Sequence, residues 1–365
     1  MIGAIAQWRD RFLGRGDAAI TIPIFDGALK PNRLLEQEAQ SWELPAAEDI
    51  ATDGVDLFVA AGSQVLRLDG DATEIVQQFE GRVTALACIA GGGFAVALDG
   101  KEVRTVGTSQ PARRWKEVGG KPLVAVNALS ASPDGRLLAT DGSSRQNYDR
   151  WCHDLMERGK SGRVVELNAE GGLARDIASG LAYAFGACTA AGGVWVSESW
   201  RHRVMQYDDK GRAQVVLDEL PAYPSRLTAA PDGGYWLTAF AGRTQLVEFV
   251  LREDAFRKRM LAEVDPRYWI APALSSGSTF LEPLQGAGVK MRGVLKPWAP
   301  PRSYGLVMKL SADGTILYSL HSRLDGRHHG VVSAVECRSN LYVLSKGSGK
   351  LLRLPVAEIE RSVTA

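Results

Sequence analysis

Residues 133–142 read PDGRLLATDG, a turn-forming Pro-Asp-Gly followed by a short apolar run that ends on another Asp-Gly. Glycine and aspartate punctuate the chain on both sides, and the run between them has the length and composition of a strand, not of a helix. The same arrangement returns five more times. It appears as DGVDLFVAAG at 53–62, GGGFAVALDG at 91–100, AGGVWVSES at 191–199, PDGGYWLTAF at 231–240 and RSNLYVLSKG at 338–347. A unit recurring at about forty residues marks a propeller or an array. After each anchor comes another strand with alternating apolar positions, such as Val65, Leu66 and Leu68, or Val204, Met205 and Tyr207. Alternation at period two buries one face of an antiparallel sheet. Six such sheets hide their apolar faces if they stack around a common axis, which leaves only short edges. The expected fold is therefore all-β, a single-domain six-bladed β-propeller with two rim insertions containing short helices. A lead-in segment occupies 1–45 and the ring 46–365.

The insertions are the two places where the spacing stretches. One runs over about 143–161 (SSRQNYDRWCHDLMERGKS), with a short helix expected from Asp149 to Arg158. The other runs over about 252–302, opens on the charged segment REDAFRKRMLAEV and closes on KPWAPPRS. Long excursions from a compact ring are commonly binding loops, and a lid is the expected role, with a surface decoration or oligomer contact as the alternative.

Composition narrows the function. Apolar residues at 45% and charged residues at 23% suit a chain with a large core. Lys plus Arg (43) nearly balance Asp plus Glu (42), so no global field draws the protein to nucleic acid or anionic membrane. A small-molecule ligand in the central channel is the expected partner. Cys88, Cys152, Cys188 and Cys337 form neither a CxxC pair nor a zinc spacing and read as reduced. The opening MIGAIAQWRDRFLGRG has too short an apolar core for a signal peptide, and no stretch is long enough for a transmembrane span, so a cytoplasmic location is expected. An amphipathic first helix resting on a membrane surface stays open at this point. There is no GxSxG elbow and no phosphate-cradling glycine loop.

Several separated segments resemble strictosidine-synthase-like proteins: IPIFDGALKPNRLLEQ (22–37), NALSASPDGRLLATDGSS (127–144), WCHDLMERGKSGRVVELN (151–168) and PRSYGLVMKLSADGTILYSLHS (301–322). That group includes the adipocyte plasma-membrane-associated protein and is a branch of the gluconolactonase, regucalcin and paraoxonase superfamily. The resemblance implies a six-bladed ring with a ligand site at one end of the channel. It also implies, in the metal-dependent members, calcium or a similar ion held by a Glu before the first blade's strand, by Asn residues opening later blades and by an Asp. Glu48 in LPAAEDIATDG and Asn127 in VNALSASPDG match the first two metal positions. The third reads YAFG, with Phe185 in place of Asn, and the fourth reads Pro224, Ser225, Arg226. A phenyl ring does not coordinate, and an arginine repels a cation. The expectation is no cofactor, or a weakly bound divalent cation, calcium. The Pictet–Spengler glutamate of strictosidine synthase aligns near Val332 and Ser333, with Glu336 displaced, so that chemistry has no support.

The candidate site then comprises Glu48 and Asn127 as metal or lining residues, with Phe185, Trp200, Ser225 and Arg226 contacting substrate. Ser225 and Arg226 read as a fork for a carboxylate or phosphate. His153, beside Asp154 in the first insertion, is the candidate catalytic base. Adjacent helical residues diverge, however, so a loop-ordering role competes with it. His321 and the tandem His328 and His329 read more readily as a solvated turn than as a metal site. The function expected is a small-molecule enzyme, an ester or lactone hydrolase with an altered, metal-poor channel site. The alternative is a non-catalytic ligand-binding or scaffold propeller.

Overall fold

The computed structural model describes residues 22–109, 111–132, 134–168, 174–277, 281–283, 290–291, 294–295 and 302–364. The N-terminal helix considered from sequence lies outside the described residues.

Each of the six anchors forms the second strand of a four-stranded antiparallel sheet, and the alternating segment after it forms the third. Blade one holds Ala47–Thr52, Leu57–Ala61, Gln64–Asp69 and Ala72–Gln78. Blade two holds Val83–Cys88, Phe94–Leu98, Glu102–Val106 and Arg114–Trp115. Blade three is Val126–Ala131, Arg136–Asp141, Gly162–Asn168 and Arg175–Leu181. Blade four is Ala184–Ala190, Gly193–Glu198, Arg203–Tyr207 and Ala213–Leu217. Blade five is Ala222–Ala229, Tyr235–Gly242, Gly305–Leu310 and Ile316–Ser322. Blade six takes Val331–Cys337, Asn340–Ser345 and Lys350–Pro355 from the C-terminal part of the chain. Its outer strand is Gln40–Glu43, with Trp42 opposite Leu351. Part of the lead-in therefore belongs to the ring and clasps its two ends together. The sequence around Gln40 carries no turn signal that marks it as a strand.

The innermost strands pack against one another in order, and the sixth returns to the first. Alternating side chains explain the ring, because each apolar cluster lies between two blades. Phe58, Ala60 and Val65 of blade one meet Leu86, Val96 and Leu98 of blade two. Leu138 and Val164 of blade three meet Val194 and Val196 of blade four. Burying an aliphatic side chain contributes about 1.5–3 kcal/mol, so no blade stands without its neighbours. At Gly93 (φ 81°) the turn also needs glycine for space, because a Cβ would collide with the Val106 carbonyl.

Both insertions join a second strand to a third strand, in blades three and five, so they rise on the same rim. The first carries a 3₁₀ turn at Tyr148–Arg150 capped by the Asn147 side chain, then a helix at Trp151–Met156. The second opens with helices at Gln245–Arg252 and Asp254–Glu263. Val250, Met260, Trp269 and Ala271 of the second pack with Leu155 and Met156 of the first, over Trp42, Ile50 and Val332 of the ring. The described part of the longer insertion is thus seated on the ring, where Glu248 also meets His202 Nε2 of blade four at 3.4 Å. Among the described residues no helix is long and apolar enough to cross a membrane.

Candidate active site at the channel mouth

Five of the six innermost strands carry a β-bulge one residue after they begin. The register slips at Glu48, Thr84, Asn127, Phe185 and Val332. In blade five the irregularity is longer, with slips between Ala222 and Pro224 and between Pro224 and Leu227. A bulge drops one residue out of the ladder and re-aims it. Repeated around an axis, it presents one equivalent residue per blade to the channel. Glu48, Asn127, Phe185 and the blade-five segment with Ser225 and Arg226 are therefore brought together at one end of the ring.

Their surroundings divide into a polar and an aromatic half. Glu48 is buried and accepts the Tyr148 hydroxyl on Oε2 at 2.7 Å, and the same oxygen accepts the Lys346 ammonium. Arg82 Nη1 lies 3.8 Å from Oε1. Arg82 and Lys346 also lie over the Tyr148 ring at 5.1 and 5.0 Å. Burial, joined by the Arg226 and Arg82 charges, pulls the Lys346 ammonium below its ordinary pKa although Glu48 opposes this. Burial and Glu48 raise the Tyr148 phenol. Lys346 keeps about a quarter of its side chain exposed (23%), so the cluster opens to the mouth.

The other half is a wall of rings. Tyr183 stacks on Trp200 at 4.4 Å, and Trp151 and Phe185 approach Phe240 at 5.4 and 5.9 Å. Trp151, Phe185 and Trp200 stay partly exposed. Asp154, buried on the first insertion, accepts the Trp200 indole N–H at 2.8 Å, and burial raises its carboxyl pKa.

The remaining sequence-derived positions have other surroundings. Asn127 donates Nδ2 to the Ala184 carbonyl at 3.0 Å and accepts the Thr140 hydroxyl at 2.6 Å, which ties blade three to blade four. The fully buried Ser225 hydroxyl meets Thr238 Oγ1 at 2.7 Å and the Val331 carbonyl at 3.2 Å. Arg226 is 4% exposed and is surrounded by backbone carbonyls and Asp49. His153 packs its ring edge against Trp269 at 4.6 Å, while its neighbour Asp154 turns to Trp200. The solvated turn expected at His328 and His329 is instead buried: His328 Nε2 meets Glu38 at 3.1 Å, and His329 meets Ser303 at 2.7 Å and the Arg323 carbonyl at 2.6 Å. Tyr148, Lys346, Arg82 and Asp49 escape the sequence reading. Lys346 carried a usable signal, since it is the penultimate residue of the sixth anchor and so falls on the same rim as Glu48.

No family profile matches the chain. Adipocyte plasma membrane-associated protein from Bos taurus is 26% identical over 308 residues, covering 72% of this chain and 73% of that protein. The Salmo salar protein of the same name is 28% identical over 66% of this chain but only 54% of its own length. Strictosidine synthase-like 6 from Arabidopsis thaliana is 25% identical over 39% of each chain. The chain is thus similar to the strictosidine-synthase-like branch of propellers. A solved gluconolactonase from Xanthomonas campestris shares the fold at a TM-score of 0.55 and 14% identity, over 92% of this chain and 95% of its own. In this chain Phe185 and Arg226 stand at two of the positions where the resemblance read from sequence implies ligating side chains. Among its described residues no three His, Cys, Asp or Glu side chains gather as a metal-binding group.

Proposed function

We propose that this propeller hydrolyses small esters or lactones at the channel mouth, using its own side chains in place of a metal ion. One observation carries the reading: a carboxylate, a phenol and an ammonium group (Glu48, Tyr148 and Lys346) are held together beside a partly exposed aromatic wall. The wall suits an apolar acyl or ring system, and the polar cluster suits the carbonyl. Glu48 takes the proton of a water as its oxygen bonds to the acyl carbon. Lys346 and Arg82 stabilise the oxyanion, and Glu48 returns the proton to the departing alkoxide as the acyl–oxygen bond breaks.

A calcium-like ion does not fit the residues present. Oε2 of Glu48 is engaged by Tyr148 and Lys346, Oδ1 of Asn127 is engaged by Thr140, and Arg82, Lys346 and Arg226 surround the place. Three cations around one spot oppose a fourth. Elimination of metal ligation leaves Phe185 and Trp200 as substrate contacts and Asn127 as a tie between blades.

The burial of Glu48 and its engagement by two partners favour a second reading, a non-catalytic binder of the same ligands. A screen of p-nitrophenyl esters and aliphatic lactones, run with chelator and with added calcium, separates the two. Expected is turnover indifferent to both additions and reduced by roughly 100-fold or more in Glu48→Gln. Loss of activity with chelator overturns the metal-free chemistry, an active Glu48→Gln removes the base, and saturable binding without turnover selects the binder.

A further inference from the structure

Bulges leave backbone groups outside the ladder, and in this ring several carbonyl oxygens displaced in this way converge on one side chain. Arg226, on blade five, donates Nη2 to the Thr84 carbonyl of blade two at 3.1 Å and to the Asn127 carbonyl of blade three at 2.5 Å. Its Nη1 reaches the Val332 carbonyl of blade six at 3.4 Å. Nε lies 3.1 Å from Asp49 Oδ1 of blade one, an ion pair too oblique to count as a hydrogen bond. The guanidinium carbon sits 5.5 Å from the centre of the Phe185 ring of blade four. One cation therefore touches all the other five blades. Thr84, Asn127, Phe185 and Val332 are all bulge residues. Asp49, next to the bulged Glu48, is itself held by the backbone N–H groups of Ile50 at 2.8 Å and Leu86 at 3.0 Å.

We propose that the Arg226 guanidinium is the resident cation of the channel, and that shortening this side chain uncovers an oxygen-lined site for a small free cation. Buried carbonyl oxygens without a donor carry a penalty, and so does a buried carboxylate without a counter-charge. A planar fork with five N–H groups answers both at once and spans several acceptors. What remains when the fork is removed is three carbonyls and a carboxylate around one void. That donor set suits a hard divalent cation, and its shape suits guanidinium. The inference concerns the centre of the ring and stands whether or not the mouth above turns over a substrate.

Thermal unfolding of the full chain tests it, with wild type, Arg226→Ala and Arg226→Lys each measured in buffer, in millimolar methylguanidinium chloride and in millimolar calcium chloride, against tetramethylammonium chloride at matched ionic strength. Wild type is expected to show the same Tm in all four. Arg226→Ala is expected to melt lower by on the order of 5–10 °C. Methylguanidinium or calcium is expected to raise its Tm with concentration, as a ligand that binds only the folded form does. Arg226→Lys keeps the charge but loses the fork and is expected to fall between the two; it carries the test should the alanine protein fail to fold. A wild type whose Tm rises specifically with calcium overturns the proposal. So does an alanine variant as stable as wild type, a destabilised one that neither cation restores, or a lysine variant equal to wild type.

Discussion

His321 offers a sharp test of the packing that holds the lead-in against blade five. The ring is fully buried, with Nδ1 2.8 Å from the Tyr304 hydroxyl and Nε2 2.8 Å from Ser319 Oγ. Ser319 gives its own proton to the Ala28 carbonyl at 2.7 Å, so it accepts from Nε2–H and leaves Nδ1 to accept from Tyr304. That favours a neutral imidazole, because the remaining lone pair on Nδ1 is occupied by the Tyr304 hydroxyl. Asn32 accepts the His321 backbone N–H at 3.1 Å and donates to the Ser319 carbonyl at 2.7 Å. The tautomer, the lead-in and the strand are thus one unit. Burial, helped by the Arg323 charge, pushes the His321 pKa down to about 4 from its ordinary 6.5. The unfolded chain therefore binds a proton that the folded chain refuses. The stability this lends is complete above pH 6.5 and disappears as the pH falls from there through about 4. At 1.36 kcal/mol per pKa unit the loss is about 3 kcal/mol. Urea unfolding between pH 7.5 and 4 reads it, with His321→Gln as the reference that cancels every other titrating group. The wild-type curve should fall about 3 kcal/mol further than the variant's across that window. Parallel curves would refute a buried neutral His321.

Two substitutions probe the floor of the mouth. Phe185→Ala removes a ring that is only partly buried and rests against Arg226, Tyr183 and Phe240. It should cost about 2 kcal/mol in urea unfolding, less than a fully buried Phe, and raise KM for aryl esters about tenfold with kcat nearly unchanged. Gly186→Ala places a Cβ 2.8 Å from Arg226 Cα, the Leu227 nitrogen and the Ser225 carbonyl, all in blade five. Two backbones then have to part, so a loss of about 1–3 kcal/mol is expected in the same assay, and a variant as stable as wild type would mean that blades four and five are not in contact there.

The ring was legible because its signal is local. Each anchor pairs a turn with a strand of period two, and both properties belong to a handful of consecutive residues, from Leu57 through Leu341. The rim insertions were legible for the same reason, as departures from a spacing. What stayed hidden depends on partners far along the chain. Gln40–Glu43 is a strand only because Lys350–Arg353 offers an unpaired edge. Tyr148 reaches Glu48 across a hundred residues of sequence, and Lys346 reaches it across nearly three hundred. Residue type alone also misleads at the centre. In sequence Arg226 reads as a fork for an incoming anion, but the acceptors that meet it are carbonyls, and no composition or motif reveals where a carbonyl points.

The bulges connect these two levels. A strand that runs straight to the axis would bring its ladder-bonded backbone and an ordinary side chain there. A strand that slips by one residue near its start leaves a backbone oxygen without a partner and turns one side chain inward. Five strands slip in the same place, at Glu48, Thr84, Asn127, Phe185 and Val332, and blade five slips further. A ring built this way concentrates negative partial charge at its hub before any functional residue is chosen. Something positive must then sit there, because buried acceptors without donors are costly. A bound ion satisfies that demand from outside the chain, and a guanidinium satisfies it from within. Once Arg226 fills the hub, the Phe185 ring beside it has no ligating duty. It is free to be apolar, and Glu48, Tyr148 and Lys346 are left at the mouth, where the proposed chemistry is located.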